Sequence, residues 1–195
     1  MLKSTLQNYK NSSKFCISVE VYEILYFNWS DPPCSMGQSS PLWADATLCA
    51  NNEHVLFSCR TGNKIASLCE NNASIHYRFG RPGHTEMSYP DNTEKTSDAF
   101  NADTMMFSGG GGAYVTFNKN GFQYTVFSAI GRWGKHGAPA EVNGVAVQKG
   151  EQEIANLACH GPVISNLGAD AFQQDGLQPG HPSHDFYIPE AFFLR

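Results

Sequence analysis

Charge is scarce in this chain. Asp, Glu, Lys and Arg make up 16% of its 195 residues, where globular domains ordinarily hold about a quarter. The balance is a formal −5 with no cluster of Lys and Arg, so the basic footprint of a nucleic-acid binder is missing. Long apolar runs are missing as well: nothing reaches the roughly 18 residues of an ordinary membrane-spanning helix. Six cysteines occur without a CxxC pair, and the even spacing of Cys49, Cys59 and Cys69 fits no common zinc pattern. GxSxG, HExxH, Walker and EF-hand signatures are absent. No catalytic residue, metal ligand or cofactor is assigned on these grounds. No internal repeat is visible either, which disfavours propellers and solenoids.

Turn residues and β-formers are plentiful, with 18 Gly and 10 Pro. That composition suits a loop-rich β protein better than a helical bundle. The stretch 54–83 reads as three short strands, His54–Arg60, Lys64–Cys69 and Ser74–Phe79. They are joined by Thr61-Gly62-Asn63 and by Glu70-Asn71-Asn72-Ala73, residue types that accept the positive φ of tight hairpin loops. Residues 81–104 are polar and turn-rich, with Glu86–Tyr89 as a short strand inside a long loop. Met105–Ser108 then leads through Gly109-Gly110-Gly111-Gly112 into Ala113–Asn118, and Lys119-Asn120-Gly121 turns it back along Phe122–Ala129. A third hairpin pairs Glu141–Gln148 with Gln152–Cys159. About eight antiparallel strands with short turns predict an all-β domain, a single sandwich or a small barrel. The ends are irregular: 160–180 is polar with one helical turn at Ala169–Gln174, and the apolar tail Phe186–Arg195 packs back on the domain.

Cysteines bear on the compartment. Cys49, Cys59, Cys69 and Cys159 lie in or beside predicted strands and are expected to form two disulfides in any of three connectivities, the alternative being buried free thiols that pack as small hydrophobes. A disulfide framework belongs to an oxidising setting. Ala44-x-Ala46, just ahead of Cys49, matches the small-residue pattern read by signal peptidase, although the expected apolar segment is missing: Phe15–Phe27 is interrupted by Glu20 and Glu23. The reading is therefore a leader or linker over 1–46, a β domain over 47–195, and a periplasmic or secreted location.

Candidate chemistry is thin. His181 and His184 are three apart, but Pro182 breaks the helical frame that would aim them at one metal. Cys159 and His160 are adjacent, so in a strand they point to opposite faces and do not form a nucleophile–base pair. The run Ser108–Tyr114 (SGGGGAY) is hardest to explain by folding alone, because four glycines carry a large ordering entropy and weaken a strand. It reads either as a bulged corner where sheets approach closely, or as a loop that enters a partner's groove and presents backbone groups. A phosphate loop lacks the helix N-terminus that binds the anion.

The order Phe57-Ser58-Cys59, Ser108-Gly109 with Tyr114, Tyr124, Trp133, Lys135 and Gly137, ending at Cys159, resembles the small periplasmic inhibitors of c-type lysozyme. The resemblance implies a compact β-barrel closed by a Cys59–Cys159 bridge. It also implies an inhibitory loop carrying Ser108 and Tyr114, and Lys135 as a partner for acidic residues of the enzyme. Ser108 and Tyr114 stand two residues further apart than in that family, and Cys49, Cys69 and the loop 81–104 have no counterpart there. The segment from Phe57 to Gly80 also resembles a set of uncharacterised exported bacterial proteins, which implies a compartment and no activity. The expected function is binding of a protein partner, a basic cell-wall hydrolase such as lysozyme, with Ser108, Gly109, Gly110, Gly111, Gly112, Tyr114 and Lys135 at the contact. The alternatives are a hydrolase or metal enzyme using the histidines at 160, 181 and 184, and a structural envelope protein.

Overall fold

Two-residue turns set the architecture. Asn120 and Gly121 both hold positive φ (54° and 78°), the conformation that matches the right-handed twist of two adjoining strands. The same loop length recurs at every other connection between consecutive strands within a sheet except the one from Gly131 to Ala140, which is longer and holds the 3-10 turn Lys135–Gly137. The result, in a computed structural model, is ten strands: β1 (His54–Thr61), β2 (Lys64–Asn71), β3 (Ser74–Arg81), β4 (His84–Tyr89), β5 (Asn101–Phe107), β6 (Gly110–Lys119), β7 (Phe122–Gly131), β8 (Ala140–Lys149), β9 (Gln152–Ala158) and β10 (His160–Ser165). The structure describes residues 47–72, 74–91, 95–177 and 186–193. The expected leader or linker over 1–46, with Ala44 and Ala46, lies outside the described residues, as do His181 and His184.

The strands form two five-stranded antiparallel sheets, ordered β10-β1-β2-β3-β4 and β5-β6-β7-β8-β9. Neither closes on itself, so the fold is a sandwich rather than a barrel. The chain passes from the first sheet to the second through a short helix, α1 (Thr96–Ala99), and returns through Cys159 alone. Ten strands replace the expected eight because β4 runs the full length from His84 and because β10 occupies a segment that reads as irregular. Both are edges of the first sheet, largely exposed along their length. An edge strand needs no apolar alternation, and it tolerates Pro162, which no central strand would.

Side chains from both sheets meet in one buried cluster, with Phe57, Leu68 and Tyr77 on one side and Val115, Phe117, Val126 and Val145 on the other. Each such side chain contributes about 1.5–3 kcal/mol by leaving water. A register shift in β1 between Val55 and Phe57 brings Leu56 and Phe57 into that cluster together. Phe117 is its hub, with rings of Tyr77, Tyr89 and Tyr124 at 4.6–5.0 Å. A second helix, α2 (Ala169–Gln174), adds Phe172, and Leu177 follows.

Both outer faces are covered. On the first sheet, residues 47–53 lie across β2 and β3: Cys49 is bonded to Cys69, the Leu48 amide donates to Ser67 Oγ at 3.0 Å, and Arg78 forks onto the Glu53 carboxylate. On the second sheet, Phe186, Ile188 and Phe192 pack over Tyr114, Phe127, Val142 and Ala146, with a 3-10 turn at Glu190–Phe192. The apolar tail therefore packs back as a short helical turn. The other disulfide joins Cys59 to Cys159. It ties β1 to the residue where the chain re-enters the first sheet, and it is the pairing implied by the lysozyme-inhibitor resemblance.

Candidate functional site

Register in the second sheet turns the β6 glycines into a site. On the face toward the first sheet, Ala102, Val115, Val126, Val145 and Leu157 line up across five strands. One step along, the next rank is Thr104, Ala113, Ser128 and Asn143, and the one after is Met106, Gly111, Ile130 and Glu141. The interior therefore changes from wholly apolar to polar within about 7 Å of strand. Gly111 contributes no side chain and Ala113 only a methyl, so a cleft of about 480 Å³ opens there, closed on its far side by Val163, Ser165 and Leu167. Asn143 is only 7% exposed, and its Oδ1 has no hydrogen-bond partner among the described residues.

The glycine run is part of a strand, which corrects the expectation of a loop. Ser108 and Gly109 alone make the turn, while Gly110, Gly111 and Gly112 all pair with β5, and Gly111 and Gly112 pair with β7 as well. A Cβ on Gly110 would collide with the Ile130 carbonyl, and one on Gly112 would stand 2.5 Å from the Ser128 carbonyl oxygen. Close approach of strands is the folding reason for these residues, and an open cleft is the consequence. Tyr114 is likewise not at the turn. It lies on the outer face of β6, 6% exposed, with its ring 5.3 Å from Phe186.

Ser108, Gly109 and Lys135 do come to one end of the second sheet. Gly109 lies against the Arg132 side chain, and Trp133 packs between Phe107 (5.2 Å) and Phe193 (5.0 Å). Lys135 opens the exposed 3-10 turn Lys135–Gly137 in the β7–β8 connection. Beside them a second groove of about 440 Å³ runs along β5, lined by Met105, Phe107, Tyr114, Trp133, Phe186 and Tyr187. Tyr187 is 79% exposed and Met106, on the same strand edge, 93%. Exposed aromatic and methionine side chains in one place are the usual composition of a protein contact.

No nucleophile–base pair is present among the described histidines. His160 is exposed at the start of β10 beside Arg60. Cys49, Glu53 and Cys69 form the one close group of three ligand-type side chains among the described residues. Both sulfurs are held in a disulfide and are not available as thiolates. Asp175, just after α2, is buried, and its Oδ2 has no hydrogen-bond partner among the described residues. Burial pushes its carboxyl up to about 6, aided by Glu70 and opposed by His54. It carries no neighbouring nucleophile or electrophile that would make it a catalytic acid.

No protein-family model, curated protein or solved structure matches the chain. Sequence reasoning missed Asn143 and Ser128. Their signal was a polar residue on the apolar face of an alternating strand: in EVNGVAVQ, Asn143 shares a face with Val145 and Val147. Among the described residues no helix is long and apolar enough to cross a membrane. The two disulfides are compatible with an oxidising compartment.

Proposed function

We propose that this is an exported binding protein that inhibits a peptidoglycan-cleaving enzyme, either a host lysozyme or a rival's wall hydrolase. The observation that carries the reading is the convergence at one end of the second sheet. There the Ser108-Gly109 turn lies against Arg132, the aromatic groove around Phe107 and Trp133 opens beside it, and Lys135 stands in the connection that follows β7. Glycosidases of this class work with a pair of carboxylates in a cleft, and a narrow turn flanked by cations is complementary to such a cleft. The body of the inhibitor is acidic, at a formal −5, which steers it toward a basic enzyme. Tyr114 supports the groove from beneath instead of touching the partner through a loop.

The test is a titration of the oxidised protein against c-type lysozyme and other peptidoglycan hydrolases, reading lysis of cell walls. Stoichiometric inhibition is expected, with a Ser108→Ala/Lys135→Ala variant at least tenfold weaker while its fold is unchanged. Inhibition that survives this double substitution would move the contact elsewhere. No inhibition of any enzyme in the panel would remove the reading.

A further inference from the structure

The cleft between the sheets adjoins the groove at the end that carries the proposed inhibitory contact, with Thr104 lining both, and its chemistry is specific. Its polar lining consists of hydroxyls (Thr104, Ser128, Ser165), the Asn143 amide and the Glu141 carboxylate. Among the described residues no Lys, Arg or His lines it, and Glu141 is the one formal charge they bring to it. The Asn143 oxygen is buried and unpartnered, and a buried acceptor left without a donor is costly enough that native structures rarely keep one. What Asn143 Oδ1 lacks is therefore a donor, which the neighbouring hydroxyls do not supply, and beside the Glu141 carboxylate a positively charged donor is favoured. Val163, Leu167 and Ile130 supply an apolar wall against which a short chain of methylenes would pack.

We propose that this cleft binds an alkylammonium or alkylguanidinium group, its cationic head donating to Asn143 Oδ1 and the Glu141 carboxylate and its stem lying along Val163 and Leu167. The same chemistry is offered by a free small amine and by a Lys or Arg side chain of another protein. The site does not rest on the inhibitor reading, because Ser108, Arg132, Trp133 and Lys135 are not among its lining residues. Gly111 explains itself in these terms: any side chain there would fill the volume that the ligand stem occupies.

The experiment is a titration of the full, oxidised, isotope-labelled chain with butylammonium and butylguanidinium chloride, following the backbone amide resonances of Asn143, Ser128 and Gly111. N-acetyl-lysine methylamide and N-acetyl-arginine methylamide form the second arm, with butanol and butyrate as controls. Saturable shifts confined to the cleft are expected with the cations and not with the controls. Affinity should fall at least tenfold in Glu141→Gln and in Asn143→Leu. Glu141 is exposed, so its variant should keep the wild-type spectrum even if Asn143→Leu perturbs the core. Binding by the free cations alone makes a small molecule the ligand, and binding by the blocked residues as well makes it a side chain; either outcome supports the site. Absence of saturable shifts would leave a cleft that holds only water and overturn the proposal. Equal binding of butanol, or affinity unchanged in both variants, would overturn it too.

Discussion

The two outer faces of the sandwich are covered in opposite ways. Over the first sheet the covering segment is short and polar, and it is fixed by a disulfide, a fork between Arg78 and Glu53, and hydrogen bonds to Ser67. The sheet surface beneath includes a buried pair of hydroxyls, Ser58 Oγ and Ser67 Oγ, 2.8 Å apart. Over the second sheet the covering segment is aromatic. Phe192 meets the Phe127 ring edge-on at 4.8 Å, and Phe186 lies 5.3 Å from both Phe127 and Tyr114. Gly144 leaves room for it, since a Cβ there would stand 3.2 Å from Phe192 Cζ. Seven residues with little apolar area cannot hold themselves to a sheet by burial alone, so the first cover depends on a covalent bond and directional contacts. The second supplies enough ring surface to need neither.

This difference predicts different vulnerabilities. Phe192→Ala should be the most damaging single change on either cover, costing about 4 kcal/mol through lost transfer energy and the cavity left over Gly144. Chemical denaturation would measure it. A cost below about 1 kcal/mol would mean that the tail is a loose attachment and that the comparison fails. Breaking the other cover covalently, with Cys49→Ala/Cys69→Ala, should cost about 3 kcal/mol, the loop entropy of a 20-residue closure. Amide exchange should rise across residues 47–53 and stay unchanged at Phe186–Phe193. Equal loss of protection on both faces would show that the covers are coupled.

How far these features were legible in the sequence follows from the same physics. Central strands announce themselves because one or both faces must be apolar: β1, β2, β3, β7 and β8 read correctly, and β6 read from Ala113 onward, without its three opening glycines. The edge strands β4 and β10 carry few buried positions, so alternation had little to act on: only Glu86–Tyr89 of β4 read as strand, and β10 passed for an irregular segment. The helical turn Ala169–Gln174 and the return of the apolar tail were both visible. The glycine run was conspicuous, but its meaning was not. Backbone crowding between β5, β6 and β7 depends on a register that only pairing defines, and so does the rank that places Asn143 beside Ser128. Ser108 and Lys135 were singled out by resemblance, and the fold brings their two connections to the same end. Tyr114 went to the other side of the strand by simple parity.

The smallest expected effect is the most selective probe of the polar cover. Arg78 holds the Glu53 carboxyl below the usual carboxylate range, with burial opposing and the Ala50 amide adding to the pull. A carboxyl whose pKa is depressed in the folded state contributes stability that is fully present above its unfolded value near 4.5 and is lost as pH falls through the lower folded value. Glu53→Gln should therefore cost on the order of 1 kcal/mol at pH 7, and the difference from wild type should shrink toward zero at strongly acidic pH, once the folded-state carboxyl is protonated. Thermal melts of the two proteins across that range would measure it. The buried Asp175 is present in both and has the opposite sign, since its raised value makes stability fall as pH climbs from about 4 to 6, so its contribution cancels in the difference. A gap between the two proteins that persists undiminished at strongly acidic pH would assign the loss to packing of the Glu53 side chain, and the polar cover would then rest on its disulfide and the Ser67 contacts alone.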